Sequence, residues 1–190
     1  MNKKIKTIFF KNFTSLTVNQ VINILVTIIV TPILFQNLGE TSFGLVNLSF
    51  SIFMLLSIII CYGYHLNGPK KISLINKISE EEKLINELIS LRIFLAILVS
   101  LIIVLISFIT NLFDGFRLII LYSLPILLSE AIHPVFYLQG KNKLSVLALL
   151  NSFSKLIYLI IIIFFIKTQG DDYKVNLILG LSLLIVYLFF

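Results

Sequence analysis

The chain has 190 residues, of which 58% are hydrophobic and only 13% charged, and its mean hydropathy is +1.06. Soluble domains are about 45 to 50% apolar and about a quarter charged, so this composition excludes a soluble globular domain. The long Leu, Ile and Phe runs lack the alternation of barrel strands, and the single Cys61 excludes an intrachain disulfide. The net charge of +6 does not indicate a nucleic-acid partner, because basic residues of so apolar a chain belong in cytoplasmic loops.

Six apolar stretches predict an all-α fold, a polytopic transmembrane helical bundle. A helix needs roughly 20 residues to cross the hydrocarbon core, and five stretches reach that length. The sixth has 16 residues up to Phe190, and we expect it to be cut off there. The predicted spans are 13–37, 43–64, 92–112, 116–138, 144–166 and 175–190. Turns that contain a glycine separate most of them, at Gly39, Gly115, Gly140 and Gly170.

The long connection between the second and third spans carries a helix-start signal. Ser79 is followed by Glu80, Glu81 and Glu82, a pattern that is typical of a capping box. We expect the helix that begins there to continue directly into the third span.

Basic residues predict the orientation of the chain in the membrane. The amino terminus, the long connection with Arg92, and the loop with Lys141 and Lys143 together hold 11 lysines and arginines. The alternate loops hold three, namely Arg117, Lys167 and Lys174. Because basic loops remain on the cytoplasmic side, we expect a cytoplasmic amino terminus.

The first span carries a polar stripe with a four-residue spacing. Its members are Ser15, Asn19, Asn23, Thr27 and Thr31, with Gln20 beside them. Lipid does not tolerate such a face, so the stripe either lines a hydrated, substrate-accepting cavity or packs against another helix. Both interpretations stay open from the sequence. Pro32, which follows the stripe, suits a bent helix under either of them.

Three ionisable residues lie deep in the predicted spans: Glu130 and His133 on the fourth, and Lys155 on the fifth. Each needs a partner, a cavity or a function, because a charge inside the bilayer costs about 2.5 to 3.5 kcal/mol on insertion scales. Glu130 and Lys155 lie at similar depth, so one hypothesis is a buried ion pair between them. The other makes Lys155 a binding charge for an anionic headgroup, with Glu130 and His133 as a protonation or coupling element.

Lys70 and Lys71, just beyond the second span, are candidates for contact with anionic headgroups, although orientation alone also explains them. The sequence shows no phosphate-binding glycine loop, no metal-spaced Cys/His set and no nucleophile beside a base. We therefore expect no enzyme activity, no catalytic residue, no metal and no cofactor.

Several short motifs lie at the predicted helix ends. The motifs are TPILFQNLG at 31–39 followed by Phe43-Gly44, YGYHLNG at 62–68, FYLQG at 136–140, Asn151 with Lys155, and Lys167 with DDY at 171–173. In their order and spacing they resemble those of the bacterial polysaccharide (O-antigen and capsule) flippases of the multidrug and polysaccharide exporter superfamily. The chain departs from the family's usual residues at Gln36, Cys61, Lys70-Lys71 and Asn142.

The resemblance implies a function for the chain. The full fold would have two similar lobes around a central cavity, and residues 1–190 would form the amino-terminal lobe. The protein would flip undecaprenyl-diphosphate-linked oligosaccharide across the bacterial cytoplasmic membrane by alternating access. Its partners would be that substrate, membrane lipid, and a carboxy-terminal lobe or a second copy, without which we expect no flipping.

Two other functions stay open from the sequence. One is an ion-coupled multidrug antiporter of the same superfamily, in which Glu130 would be the coupling carboxylate. The other is a membrane protein that transports nothing, either an enzyme or an assembly subunit.

Overall fold

The computed structural model describes residues 3–75 and 77–190, without the side chains of residues 3–6, 65 and 66. Lys3, Lys4 and Lys6, which count toward the predicted orientation, therefore have side chains outside the described residues. The helices are α1 (Lys3–Cys61), α2 (Tyr64–Leu74), α3 (Ile78–Ile109), α4 (Arg117–Tyr122), α5 (Leu124–Ile132), α6 (Val135–Gly140), α7 (Leu144–Phe165) and α8 (Asp172–Leu188). The described residues contain no strand, which confirms the all-α prediction.

Helix α1 is bent sharply at Gly39 into two arms, residues 3–38 and 40–61. Gly39 has φ 78° and ψ 168°, which interrupts the helix and favours glycine. The rings of Phe35 and Phe43 are 5.8 Å apart in an edge contact, although eight residues of straight helix would separate them by about 12 Å. The two arms are the first and second predicted spans, and the turn lies where the sequence predicts it.

Four apolar segments of the described chain are long enough to cross a membrane: Thr7–Cys61, Ile78–Ile109, Arg117–Gly140 and Leu144–Phe165. The first contains both arms of α1. Many outward residues are large and apolar, such as Phe94, Leu101 and Phe108 on α3. A protein in water would bury these side chains, whereas lipid solvates them. The chain is thus a multi-pass membrane protein.

The first arm of α1 runs parallel to α7, and three asparagines fix their register. Asn12 donates to the carbonyl of Asn142 and accepts from the backbone of Ser145. Further along both helices, the Ser152 hydroxyl donates to the side-chain oxygen of Asn19 over 3.0 Å. Near the opposite ends of the helices, the Asn37 side chain donates to the carbonyl of Ile166 over 2.8 Å. Polar contacts of this kind hold helices together in lipid, where no hydrophobic force does so.

The fourth predicted span, 116–138, is three short helices rather than one. The helix is interrupted at Ser123, just before Pro125, and again at His133-Pro134. Proline lacks an N–H, so each break leaves carbonyl groups that need another donor. Helix α5 also packs closely on α8, because Gly180 brings its backbone against Pro125 and Ile126.

Helix α3 is continuous through 32 residues, which confirms that the helix of the long connection continues into the third span. The predicted capping box at Ser79 is wrong. The helix begins at Ile78. Its N-cap residue is therefore Lys77 and not Ser79, and Lys77 makes no side-chain cap hydrogen bond. A complete capping box forms instead between Thr168 and Asp171, in the turn before α8.

The basic segments of the chain gather at one end of the bundle. The start of α1 meets the α6–α7 turn through Asn12, and Lys141 in that turn forms an ion pair with Glu81 of α3 at 2.6 Å. Gly39 lies at the opposite end, where its backbone approaches the side chain of Gln169. Three basic segments are therefore at one end of the molecule.

Asp171 organises the turn at the other end, and its replacement is expected to have a defined pH dependence. Its carboxylate accepts from the backbone N–H groups of Lys167 and Thr168 and from the Lys174 ammonium. The Lys174 hydrogen bond, followed by the backbone donors, holds the pKa of Asp171 well below its usual range. A depressed carboxyl pKa stabilises the fold at every pH above about 4, the ordinary value, and the effect fades below it.

Asp171→Ala should therefore lower the melting temperature by an amount that is constant from neutral pH down to about pH 4 and shrinks only in stronger acid. Thermal unfolding of the detergent-solubilised chain at a series of pH values measures this. Asp114→Ala is the control, because it removes only an exposed ion pair with Arg117. A loss for Asp171→Ala no larger than for the control would contradict the prediction.

Candidate functional site

A cavity of about 170 Å³ lies between the two arms of α1, α7 and α8. Its polar lining consists of Thr27, Thr31, Asn47, Lys155, Tyr158 and Asn176. Valines, leucines and phenylalanines from the two arms of α1 and from α8 complete the wall. Thr27 and Thr31 are exposed, so the cavity is accessible from the surface beside these two residues of the first arm. A water molecule occupies about 30 Å³ in the liquid, so the cavity has room for a small hydrated group.

Lys155 supplies the positive charge of this cavity. Among the described residues no carboxylate forms an ion pair with it and no acceptor hydrogen-bonds to its ammonium. Its ammonium lies over the ring of Tyr158, with 5.7 Å between Nζ and the ring centroid. A cation–π contact stabilises an ammonium without neutralising it. Lys155 thus has no counter-ion among the described residues.

The structure divides the polar stripe of the first span between both interpretations. Asn19 contacts Ser152 and belongs to the packing of α7, whereas Thr27 and Thr31 line the cavity. The Thr27 hydroxyl also donates to the carbonyl of Asn23 over 2.8 Å. The Asn23 side-chain oxygen is buried and accepts no hydrogen bond from the described residues. The stripe therefore packs against α7 at its start, at Asn19, and lines the cavity further on, at Thr27 and Thr31.

The hypothesis of a Glu130–Lys155 ion pair is wrong, since no such pair exists in the described part of the chain. Glu130 Oε2 lies instead 3.8 Å from His133 Nδ1 and 4.0 Å from the Cys61 sulfur. The break at His133-Pro134 is the physical reason, because it ends α5 before the turn that joins the fourth and fifth spans. Equal depth along two straight helices therefore does not predict which faces meet.

Arg92 of α3 occupies the position that the hypothesis gave to Lys155. Its guanidinium donates to the carbonyl oxygens of Glu130 and His133, the latter at 3.0 Å, and Nη2 lies 4.0 Å from the Cys61 sulfur. Only 2% of Arg92 is exposed. Pro134 has no N–H for the carbonyl of Glu130, which accepts instead from Arg92 and from the backbone N–H of His133. Arg92 is therefore a buried side chain, and its count as a loop residue was wrong.

The same cluster continues toward α8 and α7. The ring of His133 stacks on Tyr187 with centroids 4.8 Å apart, and the Tyr187 hydroxyl donates to Asn151 over 2.8 Å. We call Cys61, Arg92, Glu130, His133, Tyr187 and Asn151 the arginine cluster. It joins α1, α3, α5, α7 and α8, and none of its members lines the cavity.

The model of the family described as polysaccharide biosynthesis protein matches residues 9–189, nearly the whole chain. The chain belongs to this family. The match includes the cavity and the arginine cluster, and it bears out the resemblance to the polysaccharide and O-antigen flippases.

A curated relative of this family member comes from Escherichia coli (strain K12) and carries the name "Putative O-antigen transporter". The two are 25% identical over 167 residues, which is 85% of this chain and 39% of the relative. The chain thus spans well under half the length of that protein. No solved structure matches this chain significantly.

Sequence reasoning about this family member identified Lys155, Glu130 and His133 but missed Arg92 as a buried group. A signal was present, because an arginine in a helix that continues into an apolar span needs carbonyl or acidic partners. Tyr187 and Asn176 carried no signal, since their roles depend on which helices meet. The candidates Lys70 and Lys71 lie apart from the cavity on α2, and both are exposed.

Proposed function

We propose that this chain supplies one lobe of a transporter that flips undecaprenyl-diphosphate-linked oligosaccharide across the bacterial cytoplasmic membrane, with its amino terminus on the cytoplasmic side. The carrying observation is Lys155, a lysine in a cavity between membrane-spanning helices that forms no ion pair with any described residue. Family membership and the relative's name support a role in polysaccharide transport. The gathering of basic segments at one end supports the orientation.

The size of the cavity defines what this lobe contributes. Ligand pockets for drug-sized molecules are about 300 to 1,000 Å³, so a cavity of about 170 Å³ holds a charged group and not an oligosaccharide. The anionic diphosphate is the part of the substrate that fits a lysine in such a site. The glycan would then require a second wall, formed by another lobe or a second copy, and alternating access would rock the two against each other.

Lys155→Gln, introduced at the chromosomal locus, tests this function. It should reduce surface polysaccharide at least tenfold and cause lipid-linked glycan to accumulate, because the site loses its charge for the diphosphate. Lys155→Arg should retain most of the transport, and Lys167→Gln, an exposed lysine outside the cavity, should have no effect. Full polysaccharide in Lys155→Gln cells with normal protein levels would contradict the proposal.

A specific observation also favours an ion-coupled antiporter as the second candidate. Glu130 and His133 form a carboxylate–imidazole pair separate from the cavity, which is an arrangement that binds and releases a proton. Glu130→Gln in the same strain discriminates between the two. If it abolishes drug resistance and leaves glycan flipping unchanged, the antiporter is correct.

A further inference from the structure

Helix α2 lies outside the apolar spans and packs along the end of the fourth one. Its buried residue Ile72 belongs to one apolar cluster with Leu88 of α3 and Phe136 of α6. The approach to α6 is so close that a Cβ on Gly140 would lie 2.7 Å from the Ile72 side chain. Helix α2 is therefore fixed against the bundle through one face.

Helix lengths place α2 at the level of the lipid headgroups. The 32 residues of α3 extend about 48 Å, some 18 Å more than the hydrocarbon core of about 30 Å. Leu88, which belongs to the same apolar cluster as Ile72, is the eleventh residue of α3, near the boundary between the overhang and the core. Tyr62 is 69% exposed just before α2 begins, at the depth where membrane proteins place amphipathic aromatics.

The opposite face of α2 combines positive charge with an exposed apolar side chain. Lys70 and Leu74 are four residues apart and thus share a side of the helix, and Leu74 is 70% exposed. Ile78, at the start of α3, is 74% exposed. We call Lys70, Lys71, Leu74 and Ile78 the α2 face.

The two lysines of this face are available to a ligand, unlike the other lysines near it. Lys77, Lys83 and Lys141 form ion pairs with Glu80, Glu87 and Glu81. Neither Lys70 nor Lys71 has such a partner within the described residues, and α2 itself contains no acidic residue. Among the described residues, Lys70 and Lys71 are therefore two unneutralised charges at this end of the molecule.

We propose that the α2 face is an interfacial anchor that binds the anionic phospholipid headgroups of the bilayer. Lys70 and Lys71 contact the phosphates while Leu74 and Ile78 enter the acyl boundary, as in other amphipathic segments on membrane surfaces. Because α2 is fixed to α6 and α3, lipid contact holds the cytoplasmic ends of these helices at a set depth. This site is separate from the cavity and does not depend on the transport function.

A fluorescent depth measurement tests the anchor. Leu74→Cys is labelled with an environment-sensitive dye, and the unaltered chain serves as the labelling blank because Cys61 is buried. The labelled chain is reconstituted in vesicles of phosphatidylcholine alone and in vesicles that also contain phosphatidylglycerol. Quenching by headgroup-level nitroxide lipid is compared with quenching by aqueous iodide.

We expect phosphatidylglycerol to raise nitroxide quenching and lower iodide quenching. One lysine near an anionic surface contributes about a fivefold preference, so Lys70→Glu with Lys71→Glu should abolish this response to phosphatidylglycerol. The matched control is Lys77→Glu with Lys83→Glu, which changes net charge equally but on lysines that are already paired. It should retain the response.

Three outcomes would overturn the proposal. Equal iodide quenching in both kinds of vesicle would show that the α2 face points into water. Protection from both quenchers would show that protein covers it, either a second copy or another part of this one. An equal effect of the control and the test variants would show that net charge, and not this face, determines lipid contact.

Discussion

Replacement of Arg92 by leucine should destabilise the chain by about 3 to 5 kcal/mol, the largest single effect that we expect. Arg92 is buried and donates to two carbonyl groups at the broken end of α5. Leucine would remove the guanidinium donor of the His133 carbonyl and the positive charge beside Glu130. Thermal or denaturant unfolding of the reconstituted chain measures the loss.

Two further variants separate hydrogen bonding from charge. Arg92→Lys keeps the charge but replaces the planar fork with a single ammonium, so its loss should be intermediate. Arg117→Leu is the control, because this arginine is partly exposed and pairs with exposed Asp114 at 3.0 Å, an interaction of at most about 1 kcal/mol. If Arg92→Leu and Arg117→Leu lost the same free energy of unfolding, the proposed role of Arg92 would be contradicted.

The second large effect concerns the crossing of α5 and α8. A Cβ at Gly180 would lie 2.7 Å from the backbone nitrogen of Ile126 and 2.8 Å from the backbone carbon of Pro125. Backbone atoms cannot rotate away as a side chain does, so the helices must separate. Gly180→Ala should therefore cost about 1 to 3 kcal/mol by overpacking, and Gly180→Leu more.

Gly44→Ala is the matched control for that substitution. Gly44 is also helical, but nothing lies within 4 Å of the position of its Cβ. Alanine there should stabilise the chain by about 0.5 to 1 kcal/mol through its higher helix propensity. The same chemical change thus has opposite signs at the two sites. A stabilising Gly180→Ala would show that the α5–α8 contact is looser than the structure has it.

The arginine cluster and the cavity divide the polar residues of the bundle into two groups with different properties. The cluster satisfies its backbone carbonyls and links five helices, so its substitutions should act mainly through stability. The cavity contains Lys155, which has no ion pair in the part of the chain that the structure describes, so substitutions there should act mainly through transport. Measuring protein level and transport together separates the two classes of variant.

The sequence by itself determined the class of protein and most helix positions. Apolar runs of membrane length require helices, because lipid offers no partner for backbone N–H and C=O groups. Gly39 marked the turn between the two arms of α1, and the Glu run marked a helix that continues into α3, although its first residue was misplaced. These features depend on local composition and backbone conformation, which a sequence shows directly.

Only the tertiary structure decided which polar faces meet. Spacing placed Glu130 and Lys155 each on a polar face, but the break at His133-Pro134 and the parallel register of the first arm with α7 separated them. The break also created a carbonyl that needed a donor, and Arg92 on a distant part of the chain supplied it. A helical period gives the face of a residue within its own helix, whereas its partner depends on the rotation and depth of every neighbouring helix.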